Sequence, residues 1–136
     1  RDAHVDNILF DDRDGAEPAV ILDWQIMGKG KGVYDLAYFL ISSLSPGDRR
    51  EIEASMLERY HAALLRAGVR DYGLDQCRRD FLAAVVGKLY VTVVATALLD
   101  NSTPHKTLYR RTDLTRLLAF CADHRIDADT LGFMLG

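Results

Sequence analysis

Three polar residues near the start of the chain, Asp2, Asn7 and Asp23, have types and spacing that suit one chemistry. An apolar run from Asn7 to Phe10 and a second from Ala19 to Leu22 flank the segment Asp11-Asp12-Arg13-Asp14-Gly15, and Asp23 follows the second run directly. Short apolar runs separated by Asp and Gly read as the two strands of a β-hairpin. A hairpin brings its outer ends together, so Asn7 and Asp23 are expected side by side, with Asp2 close to both. In phosphoryl transfer one carboxylate orients or deprotonates the attacking hydroxyl, while an amide oxygen and a second carboxylate hold magnesium against nucleotide phosphates. Asp and Asn also frequent turns and caps. That habit accounts for the residue types but not for their joint placement around one hairpin. The acidic segment between the strands lacks the spacing of a calcium loop and reads as a solvated turn.

The elements that must hold these residues are mostly helical. After Asp23-Trp24-Gln25, where Trp24 is expected to pack in the core, comes Gly28-Lys29-Gly30-Lys31-Gly32. That segment does not match the GxxxxGK[ST] phosphate loop and reads as a flexible, solvated connection. Asp35 is placed as the N-cap of a first helix that Pro46-Gly47 closes. Asp48 opens a second helix, with Ile52, Met56, Tyr60, Ala63 and Leu64 on its inner face as far as Gly68. A third begins near Leu74-Asp75 and is apolar on nearly every face through Leu98, which predicts a central position. Asn101-Ser102-Thr103-Pro104 ends it. A fourth spans about Thr107 to His124, with Leu114, Leu117, Leu118 and Cys121 inward, and a short fifth follows Asp129. The fold class is α+β, mostly α: one hairpin and about five helices in a single unit. A two-stranded ribbon is marginal by itself, so further sheet structure is expected before it.

Composition narrows the partners. The chain has 136 residues, 49% of them hydrophobic, and a net charge of -3. That balance does not suit a nucleic-acid binder. The apolar stretch Phe81 to Leu99 carries Lys88 at its middle and reads as a buried helix, so no membrane partner is expected. Cys77 and Cys121 fit no zinc spacing and read as buried free thiols, which points to a reduced, cytoplasmic setting.

Taken in order, Arg1-Asp2-Ala3-His4-Val5-Asp6-Asn7-Ile8-Leu9-Phe10, Ile21-Leu22-Asp23-Trp24-Gln25 and Asp35-Leu36-Ala37-Tyr38-Phe39-Leu40 resemble the C-terminal lobe of the aminoglycoside phosphotransferase and choline kinase-like superfamily, closest to its ecdysteroid kinase-like branch. In that superfamily a His-Gly-Asp loop is followed five residues later by Asn, the next strand ends in Asp-Phe or Asp-Trp, and a helix opens with Asp-Leu-Ala. The resemblance implies a protein-kinase-like C-terminal lobe. Residues 1–34 would form the catalytic loop, hairpin and metal-binding segment, and residues 35–136 a helical subdomain, with the N-terminal ATP-binding lobe absent. It implies magnesium-dependent transfer of the terminal phosphate of ATP to a hydroxyl of a small molecule. Asp2 would be the catalytic carboxylate, Asn7 and Asp23 the magnesium ligands, and His4 a contact to phosphate or substrate. Asp35 would accept backbone bonds that steady the catalytic loop.

The chain departs from that pattern at Arg1, where small-molecule kinases usually carry Gly, and at Lys31-Gly32, where many relatives have Asp-Pro. Nothing in it supplies a glycine-rich loop over ATP or its phosphate-pairing lysine, so these residues alone are expected to be a poor catalyst. The surface left by the missing lobe is expected to favour self-association. The partners implied are a nucleotide and a small hydroxylated acceptor, and Tyr38, Tyr60, Tyr90 and Tyr109 are candidates to line the acceptor pocket. A reading from a different class is a non-catalytic, pseudokinase-like or helical interaction module that retains these residues unused. A third makes His4, Asp6 and Asp23 a hydrolytic metal site, which would need further ligands that His61, His105 and His124 are not spaced to provide.

Overall fold

The computed structural model describes residues 3–11, 13, 15, 19–25, 28–98 and 103–135. Within them lie a two-stranded antiparallel sheet, β1 (Ile8–Phe10) and β2 (Ala19–Ile21), and the helices α1 (Val33–Ser43), α2 (Pro46–Arg66), α3 (Leu74–Leu98), α4 (Pro104–Asp123) and α5 (Ala128–Leu135). A single 3-10 turn, Val5–Asn7, precedes β1.

Three of the helices start where a side chain replaces a missing first-turn bond. Ser45 Oγ accepts from Asp48 N at 3.2 Å and donates to Asp48 Oδ2 at 2.7 Å, which caps α2. Thr103 Oγ1 accepts from Lys106 N at 3.3 Å to cap α4, and Asp127 Oδ1 accepts from Thr130 N at 2.8 Å at the start of α5. Pro46 and Pro104 therefore begin helices that the sequence reading began at Asp48 and about Thr107. Proline has no N–H to lose at the first helical position and its φ already suits a helix. Asp35 is likewise not the N-cap of α1. The helix begins two residues earlier, with Gly32 as cap and a bond from Asp35 N to the Gly32 carbonyl at 3.0 Å. Asp35 lies in the first turn, where a carboxylate favours the positive end of the helix dipole.

The core is built around α1. Val33, Ala37, Leu40 and Ile41 recur on one helical face and are fully buried against α3, α2 and α4. Cys77, Phe81, Ala84 and Val85 face them from α3, Leu57 from α2, and Leu117 and Phe120 from α4. The rings of Phe81 and Phe120 meet in a tilted pair 5.8 Å apart. Burial of each such side chain is worth about 1.5–3 kcal/mol.

The inward face of α4 differs from the expected one: Leu114 and Leu118 are 44% and 57% exposed, and the buried line passes through Leu117 and Phe120. Asp113 and His124 sit on that line because cations and carboxylates inside the bundle draw them in, so the face does not look apolar in the sequence. The same holds in α2, where Arg49 and Leu57 are buried but Ile52 is 37% exposed. In α3 the N-terminal half is central, as expected, whereas Tyr90, Val93 and Leu98 face outward. By length and composition α3 could cross a membrane, although its buried residues include Lys88.

Two charged networks lie inside this bundle. Lys88 Nζ donates to Asp113 at 2.7 and 2.9 Å and stands 4.4 Å from the centre of the Tyr38 ring, while Thr92 Oγ1 donates to the same carboxylate at 3.2 Å. Arg49, buried over the ring of Phe120, pairs with Glu53 and Asp123. Arg50 Nε reaches Asp123 at 2.8 Å, and His124 Nε2 lies 2.7 Å from Glu53. Burial pushes the Glu53 carboxyl up, but hydrogen bonds from His124 and Arg49 outweigh it and hold it below the usual range. Bonds from Arg50 and Arg49 hold Asp123 low against its partial burial.

Lys88→Met, which strands Asp113 inside the bundle, is expected to cost about 3–5 kcal/mol in urea denaturation, and Lys88→Met with Asp113→Leu to recover most of it. A double variant as unstable as the single one would contradict this reading of the pair. Carboxylates whose folded pKa is lowered bind fewer protons when folded, so their contribution is complete above the ordinary value near pH 4 and is lost as the pH falls through the lowered one. Urea midpoints are therefore expected to be level from pH 7 to about pH 5 and to fall below about pH 4, less steeply in Glu53→Gln.

Candidate active site at the open end of the hairpin

The hairpin register pairs Ile8 with Ile21, Leu9 with Val20 and Phe10 with Ala19. One further bond, from Leu22 N to the Asn7 carbonyl at 2.8 Å, continues the pairing beyond the strands. Asn7 thus stands opposite Leu22, and Asp23 follows at the same end of the ribbon. The strands are a residue shorter than expected at this end, because Asn7 closes the 3-10 turn through a 2.9 Å bond to the His4 carbonyl. Asp23 has a φ of 55°, in the left-handed region. Asp tolerates that conformation better than most residues, and its Oδ1 faces Gln25 N at 3.4 Å. Asp2 lies outside the described residues, as do Asp12 and Asp14 of the acidic turn. Within that turn Asp11 grips Arg13 through backbone and side-chain bonds, as a local turn requires.

His4 and Asn7 are brought together directly: Asn7 Nδ2 lies 3.2 Å from His4 Nε2. An Nε2 that accepts this bond places the ring proton on Nδ1, which faces Asp6 Oδ2 at 3.5 Å. Held through its nitrogen, the Asn7 amide directs its oxygen, the atom able to ligate a hard cation, away from the ring. The turn is anchored to the core by Val5 N, which donates to Ser43 Oγ at the C-terminal end of α1 at 2.9 Å. Asp6, which adjoins Asn7 in sequence, was visible as a residue that helps to fix this loop, whereas Ser43, 38 residues from its partner, was not revealed by spacing.

The glycine-rich connection is less free than its composition suggests. Lys31 Nζ reaches the buried Asp80 of α3 at 2.6 Å, and Asp80 also accepts from Tyr72 at 2.8 Å and Gln76 at 2.9 Å. Burial raises the Asp80 carboxyl, but the bonds from Lys31, Tyr72 and Gln76 bring it below the usual range. Gly32 packs so closely on Tyr60 that an added Cβ would come within 2.8 Å of the hydroxyl. Lys31 and Gly32 therefore fix the start of α1.

Asp35 and Tyr38 line an open pocket of about 270 Å³ with Tyr34, Lys88 and Tyr90. Tyr109 lines a different one, beside His4, and Tyr60 is half-buried against Gly32. Trp24 is exposed, not in the core, and its indole N–H donates to the Ile21 carbonyl at 2.9 Å.

Asn7 and Asp23 are both oxygen donors, the kind magnesium takes, and magnesium commonly keeps water and phosphate oxygens for its remaining positions. The pair fits that demand. A self-sufficient hydrolytic site does not: among the described residues no three His, Cys, Asp or Glu side chains are grouped to hold a metal, so His4, Asp6 and Asp23 do not form one.

No curated protein and no solved structure matches the chain. A protein-family profile described as "uncharacterized oxidoreductase dhs-27" matches residues 1–121, from the segment before the hairpin into α4. The chain belongs to that family.

Proposed function

We propose that the chain is the C-terminal, substrate-side part of a phosphotransferase that moves the terminal phosphate of ATP to a hydroxyl of a small molecule. The observation that carries this reading is the arrival of Asn7 and Asp23 at one end of the hairpin, through the bond from Leu22 N to the Asn7 carbonyl. The ordered blocks around Asp2, Asp23 and Asp35 support it, as does the relation of the matched family to the ecdysteroid and choline kinase-like group.

In this reading Asn7 and Asp23 hold magnesium, which when bound neutralises charge on the nucleotide phosphates. Asp2 receives the hydroxyl proton as the acceptor oxygen forms its bond to the terminal phosphorus and the bond to the nucleoside diphosphate breaks. His4, with Asp6 behind it, positions the Asn7 amide. Asp35 accepts backbone bonds that steady the catalytic loop. The exposed apolar side chains of the hairpin, among them Leu9, Phe10, Val20 and Ile21, offer a seat for a nucleotide-binding lobe or, in its absence, for a second copy.

The family description names an oxidoreductase. A dinucleotide fold would place Gly-x-Gly-x-x-Gly between a strand and a helix of a parallel unit. Here Val33 stands three residues after Gly30 where the third glycine would be, and the described strands are antiparallel.

Magnesium with ATP is expected to raise the thermal midpoint of the chain above the value with either alone, because a ligand bound only by the folded state stabilises it. Asp23→Asn should remove that difference, and turnover by these 136 residues alone should be weak. A midpoint indifferent to magnesium, a shift that survives Asp23→Asn, or rapid phosphorylation by the chain alone would contradict the proposal.

A further inference from the structure

An open pocket of about 270 Å³ lies between the 3-10 turn, the C-terminal end of α1 and the middle of α4. Its walls include His4, Asp6, Ser42, Thr112 and Arg116, with the Asp6 carboxylate facing His4 Nδ1 at 3.5 Å, and it adjoins a more open recess that Arg111 also lines.

Two groups in its wall are unspent. Arg116 is half-buried, and its Nη1 donates to the Ser42 carbonyl, yet no carboxylate among the described residues pairs with it. The buried cations Arg49 and Lys88, by contrast, are each compensated by carboxylates. Ser42 itself is only 9% exposed, and its Oγ is buried with no hydrogen-bond partner among the described residues. Because the same residue gives its carbonyl to Arg116, the uncompensated cation and the unspent hydroxyl are neighbours. A buried polar group without a partner destabilises the free protein, so such pairs persist where something else satisfies them. One guanidinium and one hydroxyl match the planar pair of oxygens and single charge of a carboxylate; Arg111, the further positive charge that a phosphate would call for, lines the adjoining recess and not this pocket.

We infer that this pocket binds a carboxylate-bearing small molecule, its carboxylate on Arg116 and Ser42 Oγ. Its role as the phosphoryl acceptor, with a hydroxyl turned toward the turn that carries His4, rests on the function proposed above. The binding site itself does not.

The test is calorimetric titration of the chain, without ATP or magnesium, using gluconate and its neutral counterpart glucitol. Gluconate should bind at least about tenfold more tightly, the worth of one charge-assisted hydrogen bond. Arg116→Gln should abolish that preference. Ser42→Ala removes a hydroxyl that bonds to nothing in the free chain, so it should leave the thermal midpoint unchanged or higher while weakening gluconate about tenfold. That opposition between stability and binding also settles the question if Arg116→Gln does not fold. Equal affinities, no binding of gluconate, or gluconate binding unchanged in Ser42→Ala would overturn the inference. Magnesium-ATP protection that persists in Ser42→Ala would confine such a failure to this pocket and leave the phosphotransferase reading standing.

Discussion

Burial of α1 on the stripe Val33, Ala37, Leu40 and Ile41 is the constraint on which the rest of the molecule depends. Helices α2, α3 and α4 all pack against it. Both ends of α1 are then used to hold segments that have little core of their own. At its start, Lys31 is tied to Asp80 and Gly32 is pressed on Tyr60. At its end, Ser43 holds Val5 and so the turn that carries His4 and Asn7. The hairpin, whose apolar side chains are largely exposed, contributes little burial to this unit. Its position relative to the helices rests on those two ties, which makes α1 the element that turns hydrophobic packing into the placement of polar atoms.

Charge inside the bundle divides into two kinds. Arg49, Asp80 and Lys88 are buried and fully engaged, with bonds that join elements distant in sequence. Such pairs add little net stability over apolar replacements, but each fixes one alignment of the helices it joins. Arg116 and Ser42 are the contrasting case: among the described residues the cation has no counter-ion and the hydroxyl no partner, in the wall of a pocket beside His4. Arg116 has a structural use in its bond to the Ser42 carbonyl at the C-terminal end of α1, whereas the Ser42 hydroxyl has none among the described residues.

The hairpin and the five helices were legible because apolar runs, helical spacing and breaker residues are local signals. The errors were local as well. Pro46 and Pro104 are compatible with either end of a helix, and only the bonds of Ser45 and Thr103 show that they begin α2 and α4. The inner face of α4 was misphased because Asp113 and His124 occupy it. The placement of Asn7 and Asp23 at one end of the hairpin was legible from spacing around a turn. The ties from Val5 to Ser43, Lys31 to Asp80 and Arg116 to Ser42 were not, since they span 38, 49 and 74 residues and have no local signature.

The most direct measurement of the central claim, that Asn7 and Asp23 form one cation site, is paramagnetic broadening of amide resonances by manganese, which takes the same oxygen ligands as magnesium. Broadening centred on residues 6–8 and 22–24, displaced by magnesium and abolished in Asp23→Asn, is the predicted result. Broadening centred elsewhere, or unchanged in Asp23→Asn, would show that the shared end of the hairpin is a turn and nothing more.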